Sequence, residues 1–182
     1  MVTISNKETA LLGLLSEKPM HAYEIETCIK ERSMRDWTEI SMSSVYKLLK
    51  KLEDGKLVKS SVTLSKNNVA QKTYSLTPEG RKAVKEKIKT LLCEPEKTIY
   101  QVDLASSNLW LLSKKEAINC LDIYEKKIAS GIKCYQELEK YLLCCQCPEH
   151  RMALARRPQY LLKAEIEWVR GYRKELEKSQ LK

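Results

Sequence analysis

The chain has 182 residues, 43% of them hydrophobic, and a formal net charge of +9. That length closes one good core or two small ones. No apolar run reaches the length of a membrane span, and Met1-Val2-Thr3-Ile4-Ser5 lacks the basic-then-apolar order of a secretory leader. Seven cysteines, an odd number without a compact scaffold spacing, read as reduced thiols in a cytoplasm. Two histidines and five scattered glycines give no phosphate loop and no nucleophile–base set. The composition therefore argues against an enzyme and implies no cofactor.

The first helix opens at Ser5-Asn6-Lys7-Glu8, a capping box in which serine and glutamate each satisfy a free backbone donor. Leu11, Leu12, Leu14 and Leu15 make it mostly buried, and Pro19 ends it. A second helix is expected from about His21 to Lys30, with Ala22, Ile25, Cys28 and Ile29 on one face. Ser33 to Ile40 reads as a polar connection containing Trp37.

From Met42 to Asp54 the pattern is one short basic helix. Val45, Leu48, Leu49 and Leu52 fall at i, i+3, i+4 and i+7 and line one face. The opposite face carries Ser43, Lys47 and Lys50, flanked by Tyr46 and Lys51. Ser41, Ser43 and Ser44 offer N-cap oxygens, and Gly55 stands where a helix-ending residue takes positive φ. A two-stranded ribbon follows over Val58 to Leu76, in which Val58, Ser60, Val62 and Leu64 share a face and Lys72, Tyr74 and Leu76 repeat the alternation. Its tip, Ser65-Lys66-Asn67-Asn68, is rich in turn formers and carries one cation. Thr77-Pro78 starts another helix, striped by Val84, Ile88, Leu91 and Leu92.

Helix, helix, helix, hairpin, helix is the order of a winged helix-turn-helix, which lays its third helix in the DNA major groove. Charge fits that reading. From Met42 to Leu92 twelve basic side chains stand against four acidic ones, so nearly all of the net +9 lies there. Phosphate neutralisation supplies most sequence-independent affinity for duplex DNA. A basic RNA-binding or interaction protein is the different reading; single-stranded RNA would want exposed aromatics on the sheet, and this one offers mainly Tyr74.

Cys93-Glu94-Pro95-Glu96-Lys97 is polar and broken by proline, which divides the chain into domains 1–93 and 94–182. The second is all helical. A short helix spans about Val102 to Leu112, and Ser113-Lys114-Lys115-Glu116 is a second capping box opening a helix to about Leu143. Leu121, Tyr124, Ile128, Gly131, Tyr135, Leu138 and Leu142 alternate spacings of three and four, a heptad seam. A break falls near Cys147-Pro148, and Pro158 is expected to precede the last helix, whose apolar face includes Leu162, Trp168 and Val169. Seam and face together are the expected interface of a two-fold homodimer; the alternative is that they pack within one chain. Tyr100, Trp110 and Trp168 are candidate walls of an effector pocket, or else ordinary core. Cys144, Cys145 and Cys147, with His150, form the one cluster suited to a soft metal or a thiol sensor, the alternative being reduced cysteines at a helix end.

These residues resemble the PadR family of transcriptional regulators. The similarity lies in Ala10-Leu11-Leu12-Gly13-Leu14-Leu15, in Pro19-Met20-His21-Ala22-Tyr23-Glu24-Ile25, in Ser44-Val45-Tyr46-Lys47-Leu48-Leu49-Lys50-Lys51-Leu52-Glu53, in Lys72-Thr73-Tyr74-Ser75-Leu76-Thr77-Pro78-Glu79-Gly80, and more loosely in Ala164-Glu165-Ile166-Glu167-Trp168. Ala22 and Ser43 replace usual glycines, and Gly55 comes one position early. The resemblance implies a mostly α fold with a small β-hairpin wing, an N-terminal winged helix and a C-terminal all-helical dimerisation domain. It implies a dimeric regulator, usually a repressor of a pseudo-palindromic double-stranded operator, often answering to a small aromatic or amphipathic effector. By that match DNA contact is expected at Ser44, Tyr46 and Lys47. Ser43, Lys50 and Lys51 join them from the helical face, and Lys66 from the wing tip. His21 and Tyr23 are expected to cap and pack the second helix.

Overall fold

The computed structural model describes residues 3–41, 44–64 and 70–179, with backbone alone at 63 and 64. The chain forms two compact units, Met1–Lys97 and Thr98–Lys182.

In the first unit α1 (Asn6–Glu17) starts at the Ser5–Glu8 capping box, with both reciprocal bonds made. The segment after Pro19 is not simply a helix entry. Met20–His21 form a short strand, β1, before α2 (Ala22–Glu31). A 3₁₀ turn at Met34–Asp36 then leads to α3 (Ser44–Asp54), and β2 (Val58–Leu64) and β3 (Ala70–Leu76) lead to α4 (Pro78–Cys93). The expected hairpin is thus a three-stranded antiparallel sheet of order β1-β3-β2, with Met20 opposite Tyr74 and Ser60 opposite Tyr74 on the other side. Two residues carry too little periodicity to announce a strand. The connection before α3 is also less polar than its sequence suggested, because Met34 and Ile40 are buried in the core.

That core is deep. Leu11, Leu12, Met20, Ile25, Ile29 and Leu49 are fully enclosed, and Leu52, Val58, Tyr74 and Val84 close it from α3, the sheet and α4. Gly80 allows the closest approach. A Cβ there would lie 2.0 Å from the Leu57 carbonyl oxygen. Thr77 fixes the same junction: its hydroxyl accepts the Gly80 N–H at 3.0 Å and donates to the Leu57 carbonyl at 2.9 Å.

Gly55 does not take the positive φ expected of it. Lys56 does, at 57°, with Leu57 N–H donating to Leu52 O and Lys56 N–H to Glu53 O, both at 2.9 Å. This is a Schellman ending with a non-glycine residue in the left-handed position. α3 keeps one more turn-forming residue than the glycine implied, because Leu57 then drops into the core.

The second unit comprises α5 (Gln101–Ser107), a 3₁₀ turn at Leu109–Leu111, α6 (Lys114–Cys144) and α7 (Glu149–Lys178). The expected single helix over Val102–Leu112 is split at Asn108. Pro158 does not precede the last helix but lies inside it. The missing N–H at that point costs a lone helix about 3 kcal/mol, and burial on both sides offsets it: Met152 and Ala155 before, Val169 and Leu176 after. Gln159, itself buried, donates to the Glu139 carboxylate at 2.8 Å and to the Ala155 carbonyl at 3.2 Å.

α6 and α7 pack on each other around Ala117, Leu121, Ile128, Val169 and Leu176. Ion pairs flank the seam, Arg170 to Glu125 at 2.7 Å and Arg156 to Glu139 at 2.8 Å. Among the described residues, no helix is long and apolar enough to cross a membrane.

Candidate nucleic-acid interface

α3 is amphipathic in the way the spacing required. Val45, Leu49 and Leu52 are buried, Leu48 is half-buried, and Tyr46, Lys47 and Lys50 stand in solvent, Tyr46 at 66% exposure. At its start the Ser44 hydroxyl donates to Ser41 O at 2.6 Å, and Ser44 N–H donates to the same oxygen at 3.0 Å. The helix presents hydroxyl, phenol and ammonium groups together, a set suited to phosphate and base-edge contacts. Ser43 at the helix start and Lys66 at the wing tip lie outside the described residues.

Lys51 has a different occupation. Its Nζ lies 2.9 Å from Oε1 of Glu8, whose side chain is 4% exposed. Burial pushes the Glu8 carboxyl up. The Lys51 ammonium, the Ser5 N–H and the Ser5 hydroxyl together outweigh that and hold it below the usual carboxylate range. Lys51, itself largely exposed, therefore neutralises a buried carboxylate of α1 and ties α3 to it. The helical wheel placed Lys51 correctly but could not see its partner, which is the capping-box glutamate of another helix.

The other end of α3 is tied to the wing. Glu53 accepts from the Ser60 hydroxyl on β2 and from Lys72 Nζ on β3 at 2.7 Å. The Lys72 ammonium, then the Ser60 hydroxyl, hold the Glu53 carboxyl below its ordinary range. Lys72 also sits 5.3 Å from the centre of the Tyr74 ring. Further out along the sheet, Val62 is 75% exposed. The wing thus leaves the core as it extends, with the carboxylate of Glu53 fixing its angle to α3.

His21 caps α2 as expected. Its Nδ1 accepts the Glu24 N–H at 3.1 Å and Glu24 returns a bond to the His21 N–H. Tyr23 departs from expectation: it is 74% exposed and stacks on the His21 ring at a centroid distance of 6.3 Å, so most of its ring stands in solvent.

Elsewhere the candidate residues are distributed differently from the reading of the sequence. Leu121, Ile128 and Val169 are buried inside the α6–α7 hairpin of one chain, and Tyr124 and Leu162 pack beside them. Gly131 faces Leu162, 3.4 Å from where its Cβ would be, and the Tyr135 carbonyl accepts from Gln159 at 3.4 Å. Leu142 is half-buried, which leaves Leu138 and Trp168 exposed at 36% and 39%. A three-and-four spacing marks a helix–helix seam without saying whose helix answers it, and here α7 answers most of it.

The groove found in this unit is not walled by Tyr100, Trp110 or Trp168. Tyr100 and Trp110 are largely exposed, and Trp168 stacks on Tyr172 at 5.3 Å. An open groove of about 410 Å³ lies instead among α5, α6 and α7, with Val102, Leu109, Ala117, Cys120, Tyr124 and Tyr172 on its walls. Burial and then the Glu165 carboxylate, which accepts from the Tyr124 hydroxyl at 3.0 Å, raise the Tyr124 pKa. Among the described residues, no group of three potential ligands is arranged to hold a metal, so Cys144, Cys147 and His150 do not form the metal set considered above.

The four-helix, three-strand unit, with a cationic third helix and a two-stranded wing, has the arrangement of a winged helix-turn-helix. The family model described as "Transcriptional regulator PadR-like family" matches residues 11–86, the span from α1 into α4. Over that span, the chain is similar to the PadR-like transcriptional regulators. Solved structures extend the likeness of fold to both units. Bacillus subtilis PadR in complex with operator DNA is 20% identical, with a TM-score of 0.74 over 93% of this chain and 98% of that one. The same protein in complex with p-coumaric acid is 19% identical, with a TM-score of 0.76 over 97% and 100%. The PadR-like regulator BC1756 from Bacillus cereus is 17% identical, with a TM-score of 0.65 over 94% and 98%. Among curated proteins no sequence match is found.

Proposed function

We propose that this regulator acts as a cytoplasmic homodimer that represses transcription by binding a pseudo-palindromic duplex operator, with operator affinity set by a small aromatic or amphipathic effector. It binds and does no chemistry. The observation that carries the reading is the outer face of α3, where Tyr46, Lys47 and Lys50 are exposed beside Ser44 while Val45, Leu49 and Leu52 anchor the opposite face. Tyr46 and Ser44 read base edges or phosphates at the helix start, Lys47 and Lys50 neutralise phosphates, and Ser43 and Lys66 extend the contact at helix start and wing tip.

Dimerisation is supported by apolar surface that the second unit leaves open. Leu104, Trp110, Leu111, Tyr160, Leu161 and Trp168 are all at least 39% exposed, more than a lone soluble chain usually shows together. Two copies related by a two-fold axis set their third helices one DNA turn, ~34 Å, apart. The relative seen with operator DNA and with p-coumaric acid supports both ligand classes, and the groove walled by Tyr124 and Tyr172 is the candidate seat of the effector.

The test is fluorescence anisotropy on the DNA upstream of the protein's own gene against scrambled duplex, across a salt series. Preference for the upstream duplex is expected. Lys47→Ala and Lys50→Ala should each lower the salt slope by about 1 while dimerisation persists. Unchanged binding in both variants would move the interface off α3.

A further inference from the structure

Four of the seven cysteines stand alone: Cys28 in α2, Cys93 at the end of α4, and Cys120 and Cys134 on α6. The other three fall within four residues at the turn between α6 and α7, where no metal-ligating group forms around them. We propose that Cys144 and Cys147 are a peroxide-oxidisable dithiol, closing to a disulfide across this turn.

Local geometry selects the pair. Cys144 is the last residue of α6 and Cys147 lies just before Pro148, the N-cap of α7. Between them the chain reverses on Gln146 at φ 52°, with Gln146 N–H donating to Leu143 O and Cys147 N–H to Leu142 O, both at 3.0 Å. This reversal brings residues three apart to the same end of the helix, the spacing of a C-x-x-C couple. Cys145, between them, is a hydrogen-bonding neighbour of the Tyr141 hydroxyl one turn back along α6, a partner that occupies its sulfur. Exposure sorts the roles. Cys144 is open to solvent and meets the oxidant, whereas Cys147 is half-buried and resolves.

The step balances with an alkyl or hydrogen peroxide as oxidant. The Cys144 sulfur attacks a peroxide oxygen, so an S–O bond forms, the O–O bond breaks and the leaving oxygen takes a proton as alcohol or water. The Cys147 sulfur then attacks the sulfenic sulfur, an S–S bond forms, the S–O bond breaks and a second water leaves. Two thiols are oxidised by two electrons and one peroxide is reduced.

Trypsin cutting after Lys140 and Arg151 releases Tyr141–Arg151, which holds these three cysteines and no other. The reduced full chain is treated with hydrogen peroxide, blocked with N-ethylmaleimide, digested and weighed. The expected peptide carries one blocking group and has lost two hydrogens, against three blocking groups before oxidation. Cys145→Ser should leave that loss intact. Cys144→Ser and Cys147→Ser should each abolish it, Cys147→Ser leaving a dimedone-trappable sulfenic acid on Cys144. A bridge that survives Cys144→Ser, a bridge between two chains, or three independently oxidised thiols would each overturn the proposal. The readout is a mass, so it is independent of whether the chain binds DNA.

Discussion

The two units solve the same problem with unequal means. Met1–Lys97 wraps four helices and a sheet around a core that includes six side chains with no measurable exposure. In Thr98–Lys182 one long hairpin encloses a thin seam, with seven buried hydrophobic residues among those described, and leaves tryptophans and leucines in solvent. A helix pair has one shared face and cannot cover its own flanks, whereas four helices at angles plus a sheet close on all sides. The first unit thus holds its exposed α3 face rigidly, and the second has surface left over for another chain or a ligand. Fixed geometry suits reading DNA, and open apolar surface suits assembly and response.

Four outcomes would break or sharpen that contrast. The largest is Gly80→Ala, which forces a methyl against the Leu57 carbonyl. It should cost roughly 3 kcal/mol in urea unfolding and shift the transition of the N-terminal unit alone; an equal shift of both would mean the units unfold as one. Next, Lys51→Met strips the counter-ion from the buried Glu8 and should cost about 2 kcal/mol at neutral pH. The sign in acid follows from the lowered folded pKa of Glu8. Its contribution is complete above the ordinary carboxylate range and is lost as pH falls through the lowered value, so the variant's melting temperature should fall less steeply with acid than the parent's. A flat parent curve would mean that the pair is not formed in solution.

Dilution comes third. If a second copy covers the C-terminal hairpin, each tenfold drop in concentration should remove about 1.4 kcal/mol from that unit and nothing from the winged helix. A melt independent of concentration would make the hairpin self-sufficient and the contrast wrong. The smallest effect is Lys56→Gly, where glycine fits the left-handed position; a gain of up to about 1 kcal/mol is expected by chemical denaturation. A loss would show that the lysine stem contributes packing that outweighs its backbone strain.

Much of α3 was legible because burial there follows a single period. Val45, Leu49 and Leu52 inward fixes Tyr46, Lys47 and Lys50 outward, and no partner from afar is needed to place them. The three capping ends at Ser5, Thr77 and Ser113 were equally plain, since a cap is a contact across three residues. The Lys51–Glu8 pair was not legible because its members are forty-three positions apart, and β1 was missed because two residues become a strand only when β3 lies beside them. The seam at Leu121, Ile128 and Val169 was recognised as a seam and given to another chain, because spacing records that a face is covered and is silent on what covers it. Pro158 was taken as a helix start by its intrinsic cost, which burial along α7 overrides.

The sequence by itself determined the periodic and the local: which faces are apolar, where helices begin, which segment carries the positive charge and which motifs resemble those of PadR-like regulators. Tertiary structure decided every matter of pairing. It joined Lys51 to Glu8 and Glu53 to the wing, folded α6 onto α7, and opened a groove where no tryptophan stands. Pairing depends on residues far apart in the chain meeting in one packed arrangement, and no window of sequence contains both members of such a pair.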